Sequence, residues 1–244
     1  MGVNMDLFDL TGKVALVTGS TKGLGETAAK ALAKAGADVA VCGRNPADLK
    51  RVSAEIQATG RNSAGFELDV LSKEKVKKGV EQILNHFGRI DILVNNAGTN
   101  YRVPVLEYPE DKWDLIINTN LKGYFLVAQA VVPQMIERGY GKVINMSSIF
   151  GKVGLATQLA YASSKGGVEQ MTKVMALEWA KLGVRVNAIG PTYFETDMVK
   201  QIRNDPARFN FINERTPMGR WGYLPELEGT VIFLASKASD FITG

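Results

Sequence analysis

Short runs of consecutive apolar residues alternate along the chain with longer stretches whose apolar positions recur every three to four residues. The runs at 14–18, 38–42, 63–68, 90–95, 141–146 and 184–189 are strand candidates, and the stretches at 23–35, 46–59, 73–87, 111–138 and 158–182 are helix candidates. A β-branched run bounded by turn residues suits a strand buried on both faces, and a 3.6-residue period suits a helix that packs one face. Strands alternating with helices predict an α/β fold, a doubly wound parallel sheet of Rossmann type with helices on both faces. No repeat, low-complexity segment or linker interrupts the rhythm, so residues 1–244 read as a single domain. Gly36 and Gly88 are expected to stop the first and third helices. Pro133 is expected to kink the fourth helix or to begin its last turn.

The rhythm breaks at 191–222, which is rich in proline, aromatic residues and unpatterned charge. Ligands of an open α/β sheet bind beyond the carboxyl ends of the strands. An irregular excursion after the last inner strand therefore reads as a substrate lid.

The first strand and helix carry candidate chemistry. The run Val14-Ala15-Leu16-Val17-Thr18 leads into Gly19-Ser20-Thr21-Lys22-Gly23-Leu24-Gly25 and then into a helix. Strand, glycine turn and helix open a dinucleotide-binding βαβ unit, in which free N–H groups at the helix start meet a pyrophosphate. Further on, Tyr161 and Lys165 lie four apart in a helical stretch and so share a face. A free phenol has a pKa of about 10, and a nearby ammonium is expected to lower it, which makes the pair candidate acid/base machinery. The same spacing also fits an ordinary solvated helix face.

Composition narrows the field. The net charge of +4, from 29 basic and 25 acidic residues, is spread without a Lys/Arg block and gives no reason to expect nucleic acid. One cysteine, Cys42, allows no intrachain disulfide framework, fits a reducing compartment, and sits in an apolar run as a core residue. A lone histidine, His86, leaves no basis for a His triad or a metal site. No apolar run is long enough to span a membrane, and the N-terminus lacks a signal-peptide pattern, so a cytoplasmic location is expected.

Further motifs stand in order along the chain: Asn95-Asn96-Ala97-Gly98, Asn120 in Asn118-Thr119-Asn120-Leu121, Ser148 thirteen residues before Tyr161, and Asn187-Ala188-Ile189-Gly190-Pro191. With the glycine turn and the Tyr161/Lys165 pair they resemble the short-chain dehydrogenase/reductase family over nearly the whole chain. The resemblance implies an oxidoreductase acting on CH–OH and C=O groups, with Asn120, Ser148, Tyr161 and Lys165 as the catalytic set. Tyr161 would pass a proton to the substrate oxygen and Ser148 would steady that oxygen. Lys165 would lower the phenol's pKa and hold the ribose, and Asn120 would hold a relay water. It also implies a nicotinamide cofactor held by Gly19, Thr21, Lys22, Gly23, Leu24, Gly25, Asp69, Val70, Asn96, Ala97, Gly98, Tyr161, Lys165, Pro191, Thr192 and Thr196.

NAD-selective members of the family commonly carry Asp where this chain has Gly43, and here Arg44 follows. Lys22 and Arg44, two cations with no carboxylate, suit a 2′-phosphate, so NADP(H) is expected. As residues alone the two also fit ordinary surface cations. Around Arg102 and 215–222 the chain is similar to family members acting on sugar acids, the gluconate 5-dehydrogenases and 2-deoxy-gluconate dehydrogenases. Arg102, Ser148 and Tyr193 are the candidate substrate residues, with Arg102 either a carboxylate clamp or a loop-surface arginine. Thr192, where the family usually has glycine, is expected to restrict the turn beside it. Relatives usually continue past a stretch like 241–244 into a further strand; that strand is expected to be absent here or to lie beyond the given sequence. The resemblance implies a homo-oligomer, dimer or tetramer, built on 111–138 and 158–182. A 3-ketoacyl thioester reductase and a non-catalytic nucleotide sensor are the competing readings.

Overall fold

A computed structural model describes residues 5–244. Its strands are β1 (Val14–Thr18), β2 (Asp38–Gly43), β3 (Ser63–Glu67), β4 (Ile92–Asn95), β5 (Gly141–Met146) and β6 (Val184–Ile189). They form one parallel sheet in the order β3-β2-β1-β4-β5-β6. The chain winds outward from β1 to β3 and then returns to place β4 on the other side of β1. The crevice between the carboxyl ends of β1 and β4 is thus the topological switch point, where such folds bind ligands.

The alternation of side chains along each strand divides the core in two. Ala15 and Val17 face one layer with α1 (Gly23–Lys34) and α2 (Pro46–Gln57), through Ala28, Leu32, Val52 and Ile56. Leu16 faces the other, with Val80 and Ile83 of α3 (Lys73–Phe87). All five residues of β1 are buried, as expected of a strand covered on both faces. Each large aliphatic side chain buried there contributes about 1.5–3 kcal/mol.

The expected helix at 111–138 is continuous but irregular. The helices α4 (Glu110–Ile117) and α5 (Gly123–Glu137) are joined by a π-helical turn, Asn118–Lys122. Gly123 presses against Val70, where a Cβ would come within 2.9 Å of the valine side chain. That approach requires glycine and holds the wide turn in place. Pro133 lies inside α5, which continues past it. By length and composition the 28-residue stretch Glu110–Glu137 could cross a membrane, contrary to the expectation that no such run exists. Half of its most apolar window is buried in the protein, and Val127, Val131 and Met135 pack into the second core layer.

The next helix, α6 (Leu159–Trp179), runs on through a 3-10 turn to Leu182. After β6, the segment 191–222 folds into α7 (Lys200–Arg203) and α8 (Pro206–Arg215). Its base is tied where Gly222 N donates to Tyr193 O at 2.9 Å and Glu195 N donates to Gly222 O at 3.2 Å. It has a small core of its own, in which Tyr193, Ile202, Ile212 and Trp221 pack with Phe150 and Phe209. The last helix, α9 (Glu228–Ala235), packs on α1. Residues 242–244 lie along β6, with Asn187 Nδ2 donating to Ile242 O at 2.9 Å and Gly244 N donating to Val186 O at 2.8 Å.

Candidate active site

At the switch point, β1 and β4 are stitched together by polar groups. Thr18 Oγ1 accepts from Asn96 N at 2.9 Å and from Ala97 N at 3.1 Å. In return, Asn96 Nδ2 donates to Thr18 O at 3.0 Å and to Gly19 O at 3.1 Å. The start of α1 folds under this knot. A Cβ on Gly25 would lie 2.3 Å from both Asn96 Nδ2 and Gly19 O, so only glycine fits there. Arg51 steadies the loop from outside, donating to Thr21 O at 2.9 Å while paired with Glu26.

The start of α1 is suited to an anion. Its N-cap, Lys22, makes no side-chain capping bond, whereas Asn45 and Ser72 cap α2 and α3. The first N–H groups of α1 are therefore left by the side chains for a ligand, with the positive end of the helix dipole behind them. Thr196 stands over this loop, its Cγ2 3.4 Å from where a Cβ on Gly23 would be. β2 ends in Gly43 with no carboxylate, and the neighbouring Arg44, like Lys22, is exposed. The residues present thus fit a dinucleotide and suit an added phosphate better than two bare ribose hydroxyls. Asp69 turns its Oδ1 to Leu71 N at 3.1 Å, and Val70 is buried against Gly123.

Beyond β5, a cleft opens beside the glycine loop. Leu24, Arg102, Ser148, Tyr161, Tyr193 and Thr196 line it, together with Pro191 and Thr192. Thr192 does not adopt positive φ, so it fills its position without backbone strain. The Ser148 hydroxyl stands close enough to the Tyr161 phenol to ease its ionisation. Phe150 packs edge-on against both Tyr161 and Tyr193, at centroid distances of 6.2 Å. Burial pushes the Tyr161 phenol above its ordinary value, while the Ser148 hydroxyl and the Arg102 guanidinium pull it back.

Lys165 departs from expectation. Its Nζ lies 5.6 Å from the Tyr161 ring centroid, on the shared helix face, but donates to Met146 O at 2.6 Å and to Tyr124 OH at 3.4 Å. Burial lowers the amine to about 7. An amine drawn toward neutrality by its own desolvation is a weak source of field for the phenol. Without ligand, Ser148 and Arg102 are the groups that ease Tyr161 ionisation.

The Asn120 side chain is likewise committed elsewhere. Its Oδ1 accepts from Thr99 N at 2.9 Å, and its Nδ2 donates to Thr99 O at 2.9 Å and Ser164 Oγ at 3.2 Å. The amide therefore locks the loop after Gly98 to α6 and has no proton left for a relay water. Asn120 and Lys165 stand behind the cleft, while Lys22, Arg44, Asp69 and Val70 stand off to its side.

Arg102 is half-buried, and its Nε has no hydrogen-bond partner. Burial disfavours its charge, Tyr193 and Tyr161 offset part of that, and the Arg208 cation on α8 adds to it. A guanidinium so placed is matched to an anionic ligand. Sequence reasoning missed Asn100, Phe150, Phe194 and Met198, which also line the cleft. They come from three separate loops, and only the fold brings them together.

A parallel sheet with this strand order, a glycine loop at its switch point and a hydroxyl pair beside it define a dinucleotide-dependent oxidoreductase of Rossmann type. Residues 13–207 match the model of the short chain dehydrogenase family. The chain belongs to that family. It is 43% identical to the 2-dehydro-3-deoxy-D-gluconate 5-dehydrogenase of Formosa agariphila, over 99% of this chain and 92% of that one. It is 40% identical to the 5-keto-D-gluconate 5-reductase of Escherichia coli K12, over 98% and 94%. Among solved structures, the gluconate 5-dehydrogenase of Burkholderia cenocepacia J2315, in complex with NADP and tartrate, superposes with a TM-score of 0.95 at 40% identity, covering 98% of this chain and 93% of that chain.

Proposed function

We propose that the chain is an NADP(H)-dependent oxidoreductase that interconverts a ketone and a secondary alcohol on a sugar acid of the gluconate/5-ketogluconate class. The observation that carries the reading is the Ser148–Tyr161 hydroxyl pair in one cleft with the unpartnered, half-buried Arg102 guanidinium. The named activities of the relatives, and the NADP and tartrate of the Burkholderia structure, support it.

When bound, NADP(H) supplies or accepts the hydride. The residues do the rest. Gly19, Thr21, Gly23, Leu24 and Gly25 would hold the pyrophosphate, with Asn96, Ala97 and Gly98 behind them. Lys22 and Arg44 would hold the 2′-phosphate, and Asp69 and Val70 would serve the adenine. Pro191, Thr192 and Thr196 would serve the nicotinamide end, and Lys165, with one proton beyond its bonds to Met146 O and Tyr124 OH, would donate to the ribose. In reduction, Ser148 and Tyr161 hydrogen-bond the substrate carbonyl oxygen, stabilising the charge that grows there. Tyr161 then gives its phenolic proton to that oxygen, and in oxidation it takes the proton back. Arg102 grips the carboxylate and Tyr193 walls the pocket. Asn120 keeps the loop after Gly98 fixed on α6.

The segment 191–222 acts as a lid on the single domain 1–244, built around its own small core. Leu115 and Phe125 of the α4–α5 stretch and Val174 and Leu177 of α6 are exposed apolar residues that a second copy would cover in a homo-oligomer, dimer or tetramer. The cytoplasm suits its one unpaired cysteine.

The test is NADPH oxidation measured with 5-ketogluconate, acetoacetyl thioesters and simple ketones side by side. Turnover concentrated on the keto acid is expected. Preference for the thioester would replace this reading with a ketoacyl reductase, and no turnover on any carbonyl would replace it with a nucleotide sensor.

A further inference from the structure

Asn100 lines the cleft two residues after the Asn95–Gly98 turn. Its backbone is held in place because the neighbouring Thr99 is gripped on both its N–H and C=O by Asn120. Asn100 Nδ2 donates to Gln158 Oε1 at 2.8 Å, and Gln158 is only 2% exposed. The other end of the amide, Oδ1, is buried and has no hydrogen-bond partner. Native proteins keep few such atoms, because an unpaired buried acceptor loses its hydration for nothing.

Gln158 stands at the N-cap position of α6 without making a side-chain capping bond, three residues before Tyr161, so the amide pair lies within a helical turn of the phenol. The residue before it, Thr157, has φ 69°, the one positive value at a non-glycine among the described residues. A β-branched residue resists that region, and strain of this kind persists where the surroundings hold a functional geometry. The bend at Thr157 delivers Gln158 to Asn100 at the head of the catalytic helix. A purely structural amide pair has no need of an orphan atom beside a ligand cleft.

We propose that Asn100, oriented by Gln158, determines specificity by reading a substrate hydroxyl near the reacting carbonyl. The inference rests on the sugar-acid reading. A hydroxyl both donates and accepts, so it satisfies the free end of the amide in either orientation. A ligand with methylene at that place leaves the amide unpaired and is disfavoured for that reason.

The test compares kcat/KM for 5-ketogluconate with that for 5-oxohexanoate, which keeps the ketone, the carboxylate and their spacing but has no hydroxyl. Asn100→Leu is expected to lower the ratio of the two by about 10- to 100-fold, with NADPH affinity by fluorescence unchanged. Gln158→Leu should lower the ratio in the same direction, and the double variant should go no lower than Asn100→Leu, because the two act as one unit. If Asn100→Leu fails to bind NADPH, Gln158→Leu carries the test with the same outcomes. An unchanged ratio, with 5-ketogluconate still a substrate of the unmodified enzyme, overturns the inference and leaves the sugar-acid reading standing. An unmodified enzyme that reduces neither compound overturns both.

Discussion

Replacing Lys165 by Met should make the cofactor-free protein more stable while removing its activity. The amine is 3% exposed, and burial has lowered it from 10.5 to about 7. In the unfolded chain it returns to 10.5. Between these values the unfolded state binds a proton that the folded state does not, so stability rises with pH across that window. Below it both states are protonated and the burial penalty is at its full size; above it both are neutral and the penalty is gone. At 1.36 kcal/mol per pH unit the penalty is on the order of 4 kcal/mol near pH 7, reduced by the hydrogen bond to Met146 O. Methionine fills a similar volume without charge. Met146 O is not orphaned, because Tyr124 OH still donates to it at 3.2 Å. The expected gain is about 2–4 kcal/mol near pH 7 in urea unfolding. The gap should shrink steadily when the measurement is repeated at about pH 8.5 and pH 10. Saturating NADPH should then stabilise the parent protein more than the variant. A variant less stable than its parent near pH 7, or a gap that does not change with pH, would refute the reasoning.

Tyr161→Phe should bind NADPH with near-native affinity and lose about 10²- to 10⁴-fold in kcat; turnover close to the parent's would exclude the phenol as proton carrier. Arg44→Asp should weaken NADPH by about 10-fold or more while leaving NADH within a few-fold, because only the former carries the extra phosphate; fluorescence titration with both cofactors decides it. Arg102→Leu should raise KM for a keto acid by about 10- to 100-fold. In the oxidation direction it should also move the basic group seen in the pH profile of kcat/KM to higher pH, since the guanidinium helps the phenol ionise. A raised KM with an unmoved profile would confine Arg102 to binding.

The fold was legible wherever local sequence alone decides structure. Continuous apolar runs placed β1, β5 and β6 at their observed bounds, and Gly88 ends α3 in the left-handed conformation that only glycine takes easily. The fourth strand begins at Ile92, two residues into the apolar run that predicts it. Ile90 and Asp91 are buried like strand residues, but Asp91 serves as a bracket, pairing with Arg89 and Arg138 and accepting from Val14 N. The π-turn left no mark in the sequence, because contact with distant Val70 brings Gly123 so close. Among the site residues, the glycine loop and the Tyr161/Lys165 face announce themselves by short spacing. The Asn100–Gln158 pair joins residues 58 apart and could be found only once the fold had closed. The direction in which Lys165 titrates was also hidden, since it depends on burial beneath Met146 and Tyr124 rather than on distance from Tyr161 along a helix.

In the proposed mechanism two cations serve one phenol at different moments. In the ligand-free cleft Arg102 favours phenolate, while Lys165, drawn toward neutrality, does little. In the proposed complex, a carboxylate held by Arg102 cancels most of that cation's field and so reinforces the protonated form that burial already favours. That is the form needed to donate a proton to a ketone. Acceptors that reach Lys165 act the other way, because each hydrogen bond to the ammonium offsets the desolvation that depresses it. The phenol then gains a charged neighbour on its own helix face only in the assembled complex. Burial keeps the phenol protonated in the cleft, and contacts made to Arg102 and Lys165 set how readily it ionises. A buried lysine that destabilises the empty fold is consistent with that arrangement, since a group tuned for the loaded state is poorly solvated without it.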